Sequence, residues 1–156
     1  VASGRTLVRA SQIRRSDGVA SSADEGQVTL GRYFSADCLL ADAIGSFVRI
    51  TGVAVAGIAQ VATVNIAITG QYPAVGVIIE KSTTTRCLVQ VIGELQVSPP
   101  TLIPGRPYFI DVDGTITDVP PVPASGTVVA IQAIGTAIDI GRLLLNVHPQ
   151  LFLRGG

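Results

Sequence analysis

The sequence predicts an all-β protein, a small antiparallel β-barrel or sandwich preceded by an extended N-terminal arm. Three observations lead there. Val and Ile dominate the 47% of residues that are hydrophobic, while Met and Trp are absent and aromatics make up 4%. β-Branched side chains fit a pleated surface and lose rotamer freedom in a helix. The apolar residues fall in short runs separated by 17 Gly and 9 Pro, the punctuation of many short strands. Finally, residues 1–27 differ in composition from residues 28–156, dividing the chain into an arm and a body.

The arm is rich in Ser, Ala, Gly and Arg. Its first fifteen residues contain Arg5, Arg9, Arg14 and Arg15 and no acid. The Ser16-Asp17-Gly18 and Ser21 to Gly26 stretches read as turns or flexible polypeptide. Too little apolar surface is present to build a core. Leu7, Val8 and Ile13 are spaced apolar anchors among the arginines. The residues singled out as partner-binding are therefore Arg5, Leu7, Val8, Arg9, Ile13, Arg14 and Arg15. An arm of this length reaches roughly 90 Å when extended.

Elements of the body follow in order. Phe34 to Ile44 reads as a helical turn or two, or as a loop with a short turn, stopped by Gly45. Phe47 to Thr51 alternates as a strand, with Phe47, Arg49 and Thr51 on one face. Gln60 to Ile68 is a longer β-branched run ended by Gly70. Ala74 to Lys81, the polar turn Ser82 to Thr85, and Arg86 to Ile92 predict a hairpin, whose second strand continues past Gly93 through Leu95 to Val97. Pro99-Pro100 breaks it and Pro104-Gly105 marks a turn. Tyr108 to Asp111, a tight Asp113-Gly114 turn and Thr115 to Thr117 predict a second hairpin. Pro120, Pro121 and Pro123 stiffen the next connection. Val128 to Ile134 and Arg142 to Val147 close the series as strands, separated by a segment around Gly135 to Gly141. There is also an internal echo: a Gly-containing strand, a turn, then Arg before an apolar strand. It runs from Val75 to Val91 and again from Ile134 to Val147, as if two hairpins packed similarly in one barrel.

Composition excludes several functions. Charged residues make up 14% of the chain against the roughly 25% usual for a globular protein. Such a surface suits burial against a partner better than free solution. Formal net charge is zero, which argues against a body that holds nucleic acid electrostatically. The four arginines of the arm make a modest footprint without aromatic stacking residues, so a protein partner fits them better. Cys38 and Cys87 make neither a disulfide framework nor a zinc spacing and read as reduced, partly buried side chains. The arginines interrupt any apolar run that a secretory signal would need, and no stretch approaches the roughly 20 apolar residues of a membrane helix.

Catalytic chemistry has few candidates. His148 is the single histidine, and it lacks an evident nucleophile or acid beside it in the sequence. Asp111-Val112-Asp113-Gly114 begins like a calcium loop but lacks the later ligands and reads as a hairpin turn. Asp37 and Asp42 flank Cys38 and fit backbone capping. The glycines never form a phosphate-cradling run with Lys. No catalytic residue, metal site or cofactor is expected.

Three stretches resemble a known family. They are Gly76 to Leu95 with Val89-Gln90-Val91-Ile92-Gly93, Leu102 to Thr117 with Leu102-Ile103-Pro104-Gly105 before Tyr108-Phe109, and Gln132 to Val147 with Gly135-Thr136-Ala137. Together they are similar to the small β-barrel modules of tailed-bacteriophage virion proteins, over about residues 45–147. Such modules occur in capsid decoration (cement) proteins and in head or tail fibres. The arm lies outside the matched stretch and favours decoration. The resemblance implies a non-enzymatic structural virion protein on the capsid exterior, made in the host cytoplasm. It implies the major capsid protein as partner and self-association as a homotrimer. The alternative it implies is a base or shaft domain of a fibre involved in attachment.

Overall fold

The computed structural model describes residues 31–148 and 150–156, which form eleven strands and no helix. The strands are β1 (Arg32–Asp37), β2 (Phe47–Ile50), β3 (Ala59–Thr63), β4 (Gly76–Lys81), β5 (Arg86–Gln96), β6 (Pro107–Ile110), β7 (Ile116–Thr117), β8 (Val128–Ile131), β9 (Ala133–Asp139), β10 (Arg142–Asn146) and β11 (Phe152–Gly155). Nine of them make one sheet in the order β1-β3-β2-β4-β5-β10-β9-β6-β7, and β8 and β11 pair separately. Because β1 also pairs with β5, the first five strands close on themselves as a ring. Closure leaves those strands no edge between β1 and β5. The predicted all-β class holds, with one parallel pairing, β1 with β3, among antiparallel ones.

Two apolar cores follow from this arrangement. Every ring strand contributes to the inner one: Ala36 from β1, Val48 from β2, Val61 from β3, Ile78 from β4, and Cys87 and Val89 from β5. The second core is larger and lies on the other face of β2 and β4. There Phe47 and Val77 meet Tyr108, Ile110, Ile134 and Leu143 from the strands beyond β5. Consecutive residues of β2 and of β4 thus face opposite cores. This is why Phe47-Val48 and Val77-Ile78 are continuous apolar pairs, as expected of strands buried on both sides. The molecule combines a closed ring with a layer packed on its wall.

Polar groups tie the layers together. Gln132, fully buried between β8 and β9, acts as an extra strand partner for Ala74. Its Oε1 accepts from the Ala74 amide at 2.8 Å, and its Nε2 donates to the Ala74 carbonyl at 2.8 Å and to the His148 carbonyl at 2.6 Å. The Asp113-Gly114 turn also locks onto the wall. The Phe47 amide donates to the Gly114 carbonyl at 3.0 Å, and a Cβ on Gly114 would meet Thr63 Cγ2 at 2.7 Å. With φ at +83°, this position needs glycine twice over. The Leu102 to Tyr108 turn is held by the Tyr108 hydroxyl, which accepts from the Ile103 amide at 3.0 Å.

The sequence echo is a structural one. β4–β5 and β9–β10 are both antiparallel hairpins, and β5 and β10 pair with each other. Both carry a register shift at matching places, between Ile78 and Glu80 and between Ala137 and Asp139. Gly76 and Gly135 occupy equivalent positions. A Cβ on Gly76 would lie 2.5 Å from Val89 Cγ1 and 2.6 Å from the Gln90 carbonyl oxygen, and one on Gly135 would collide with the Leu144 carbonyl.

Several expectations need correction. Phe34 to Asp37 is strand, not a helical turn, because it pairs with Arg86 to Val89 of β5. The run from Gln60 to Ile68 leaves the sheet after Thr63, where Asn65 starts a turn by accepting from the Ala67 amide at 3.0 Å. The segment around Gly135 to Gly141 is mostly β9, held between β6 and β10. β11 was not expected at all. Residues 28–30 of the predicted body, like the arm, lie outside the described residues.

Replacing Gln132 by Leu strands the amide and carbonyl of Ala74 in the interior and removes a donor from the His148 carbonyl nearer the surface. At about 1–3 kcal/mol for each buried unsatisfied group, the variant is expected to lose roughly 3 kcal/mol or more in denaturant unfolding. Gly76→Ala and Gly135→Ala are each expected to lower stability by about 1–3 kcal/mol through overpacking. Gly52→Ala, where a Cβ meets nothing within 4 Å, serves as the unaffected control.

Candidate assembly surface

The loop from Cys38 to Gly45 inverts the usual arrangement of a surface loop. Its polar groups are satisfied inward. The buried Asp42 carboxylate accepts from the Leu39 amide at 2.7 Å, the Thr63 amide at 3.0 Å and the Thr63 hydroxyl at 2.6 Å. Lys81 Nζ donates to the Asp42 carbonyl at 2.6 Å and to the Leu39 and Leu40 carbonyls at 3.4 Å. Its side chains at Leu39, Leu40 and Ile44 point outward, Leu40 with 72% of its surface exposed. The neighbouring loop, between β2 and β3, is pinched by a Val55–Ile58 bridge and leaves Val53 85% exposed. The first loop is anchored through Asp42 to Thr63, and the second leads into Gln60, which donates to Asp37 at 3.1 Å. The first loop thus forms an apolar rim at the end of the ring where β1 and β4 finish, while the second loop, which precedes β3, lies at the other end of that strand.

A second apolar feature lies on the outer face of the added layer. Phe109, Ile131, Ala133, Leu144 and Phe152 line an open groove of about 500 Å³. One wall is β11, which pairs only with β8 among the described strands and presents Phe152 at 73% exposure. An edge strand with exposed apolar side chains is a template for association.

Charge is sparse and much of it is paired. Arg86 meets Asp37 at 2.6 Å, Arg106 meets Asp118 at 2.7 Å, and Arg142 meets both Asp139 at 2.7 Å and Glu94 at 2.8 Å. The hydrogen bond from Gln60, then the one from Arg86, holds the Asp37 carboxyl below its ordinary value. The Gly141 amide and then Arg142 do the same for Asp139. The Thr115 hydroxyl lowers Asp113.

The residues considered for chemistry are dispersed. His148 lines the groove, whose lining contains no Cys, Asp or Glu. Cys38 and Cys87 are buried in the ring interior. Asp113 accepts from the amide and hydroxyl of Thr115, and Asp111 from the Val112 amide, so both serve the turn. Asp42 caps backbone as expected, whereas Asp37 forms an ion pair. Among the described residues no group of three or more His, Cys, Asp or Glu is placed to hold a metal ion. The arm residues Arg5, Leu7, Val8, Arg9, Ile13, Arg14 and Arg15 lie outside the described residues. The rim and the groove were not singled out from the sequence. Their only local signals were the Leu39-Leu40 and Phe152-Leu153 doublets.

No protein-family model matches the chain, and no curated protein does either.

The carboxylate shifts fix a pH dependence. A depressed folded pKa contributes stability above the unfolded value, near 3.8 for Asp37, which is lost as pH falls through the lower folded value. Thermal stability is therefore expected to hold from neutral pH to just above 3.8 and to decline below it. Asp37→Asn should lower the melting temperature at neutral pH, and the gap to the parent should narrow in acid. A gap of constant size across a pH series of melting curves would show that the Asp37 pair does not contribute in this way.

Proposed function

We propose that this chain is a structural virion protein that decorates and stabilises a tailed-phage capsid, with the major capsid protein and its own copies as partners. The observation that carries the reading is the apolar rim on a charge-poor body. The Leu39 amide and the Leu39, Leu40 and Asp42 carbonyls already have partners within the chain, so covering the rim desolvates mainly the side chains of Leu39, Leu40 and Ile44. Apolar burial contributes roughly 25 cal/mol per Å² before the cost of association. A rigid, pre-satisfied loop keeps that cost low.

In this mechanism the barrel is a bead and the arm a tether. The rim or the groove seats on sister subunits as a trimer. The arm, with Arg5, Arg9, Arg14 and Arg15 beside Leu7, Val8 and Ile13, reaches a neighbouring subunit. Several modest contacts then act together, and linkage multiplies their affinity. The function asks no bond-making chemistry of the chain.

The test uses capsids stripped of this protein. Wild-type protein is expected to co-sediment with them saturably. The double substitution Leu39→Asp with Leu40→Asp should weaken binding about tenfold or more, which corresponds to ~1.4 kcal/mol. Removal of residues 1–15 should leave the melting temperature unchanged and weaken attachment. Failure of the intact protein to bind heads would overturn the reading. Equal binding by the truncated protein would remove the arm from it. Hundreds of copies over the shell in electron micrographs fit decoration, whereas a few copies at a vertex or tail tip would mean a fibre.

A further inference from the structure

The ring is closed by a seam between β1 and β5, and the two cysteines of the chain lie at one end of it. In that seam Ala36 pairs with Cys87 and Asp37 with Arg86. The ladder continues one step past β1, where the Cys38 amide donates to the Thr85 carbonyl at 2.9 Å. Cys38 and Cys87 are thus diagonal neighbours. Both side chains point into the ring, within the same apolar cluster as Ala36 and Val89. Both are buried and free. Sequence reading separated these residues by 49 positions and gave them no relation. The fold brings them onto adjacent strands, facing the same interior.

We propose that Cys38 and Cys87 are a disulfide site, closed by a low-molecular-weight disulfide such as oxidised glutathione. Diagonal neighbours on an antiparallel pair have Cα atoms roughly 7–8 Å apart, and a disulfide needs about 4.4–6.8 Å. Closure therefore draws the two strand ends together by about 1 Å. The seam can give there, because Cys38 lies beyond the last residue of β1.

The reaction is two successive exchanges. The Cys38 thiolate, from the less buried of the two residues, attacks one sulfur of the oxidant. It forms a mixed disulfide and expels one oxidant thiolate. The Cys87 sulfur, once deprotonated, attacks Cys38 Sγ. That forms the intrachain bond and expels the second oxidant half. The two protein thiols lose two electrons to the oxidant, and their two protons end on the two released thiols. Burial, with Cys38 beside it, pushes the Cys87 thiol up to about 12. The second exchange is accordingly slow at neutral pH and faster in alkali.

The consequence is a covalent lock on the seam. β1 is the strand that closes the ring, and the bond would tie its end to β5 while closing a long loop in the unfolded chain. The site itself does not depend on the proposed virion role. That role would give it a setting, since a particle assembled among reduced thiols later meets oxidising surroundings.

The experiment incubates the full-length protein with oxidised glutathione at neutral and alkaline pH. Expected are loss of both free thiols under denaturing conditions, an intact mass lower by two hydrogens, and a Cys38–Cys87 cross-linked peptide in a non-reducing digest. The melting temperature should rise by several degrees and return with dithiothreitol. Cys38→Ser and Cys87→Ser should show neither the mass loss nor the rise. Two thiols still free after prolonged alkaline oxidation, a stable glutathione adduct, or only intermolecular dimers would each overturn the proposal. The peptide map of the parent protein decides the matter even if a variant fails to fold.

Discussion

The shared wall formed by β2 and β4 is the constraint on which the rest of the structure depends. Phe47 and Val77 face the outer core, while Val48 and Ile78 face the ring interior. Full burial of such side chains contributes about 1.5–3 kcal/mol each. Where the wall is buried on both faces, the backbone groups at its entrances need hydrogen-bond partners from the segments packed on it. Gln132 supplies them for Ala74 at the entrance to β4. Gly114 supplies its carbonyl to Phe47 at the entrance to β2. Close approach is then enforced at Gly76, where β4 meets β5 with no room for a Cβ. Changes at these positions act on both cores at once.

The same economy explains the surface. The loop after β1 turns its Asp42 carboxylate and its carbonyls inward, because Asp42 and the Lys81 ammonium hold it against β3 and β4. The apolar side chains are what remains to face outward. An apolar rim on a chain with 14% charged residues is thus the outer side of a polar anchoring network. The paired arginines reinforce this effect. Arg86, Arg106 and Arg142 are each matched to a carboxylate.

Legibility in the sequence followed the range of the interactions. The β4–β5 hairpin could be read directly, because the Ser82 to Thr85 tetrad sets the turn locally: the Thr83 hydroxyl accepts from the Arg86 amide at 3.0 Å. The Asp113-Gly114 turn was equally local. The echo between Gly76 and Gly135 could be seen, although its cause, backbone crowding across each hairpin, could not. β1 was illegible because its strand character comes from partners some fifty residues away in β5. β9 was missed because its buried positions, Ile134 and Ala137, are three apart, register shifts having broken the alternation. The apolar rim was hidden by a Leu-Leu doublet that reads as helix. The scarcity of charge was legible at once, and the structure adds that Arg86, Arg106 and Arg142 are paired within the chain.

β1 joins these themes, because it both completes the ring and follows the arm directly in the chain. Its pairing with β5 extends over Arg32 to Asp37, and its pairing with β3 covers only Ala36 and Asp37. Suppose the arm is held by a neighbouring subunit. Tension then enters at Arg32 and runs along the strand axis. The ladder bonds to β5 lie across that axis, so they are loaded together in shear rather than opened one by one from an end. The Asp37–Arg86 pair and the Cys38–Thr85 bond sit at the far end of the same ladder, where slippage would have to finish. A tether rooted in a ring strand resists displacement without a large interface at the root, which is the property a small barrel needs if its hold on an assembly depends on an arm.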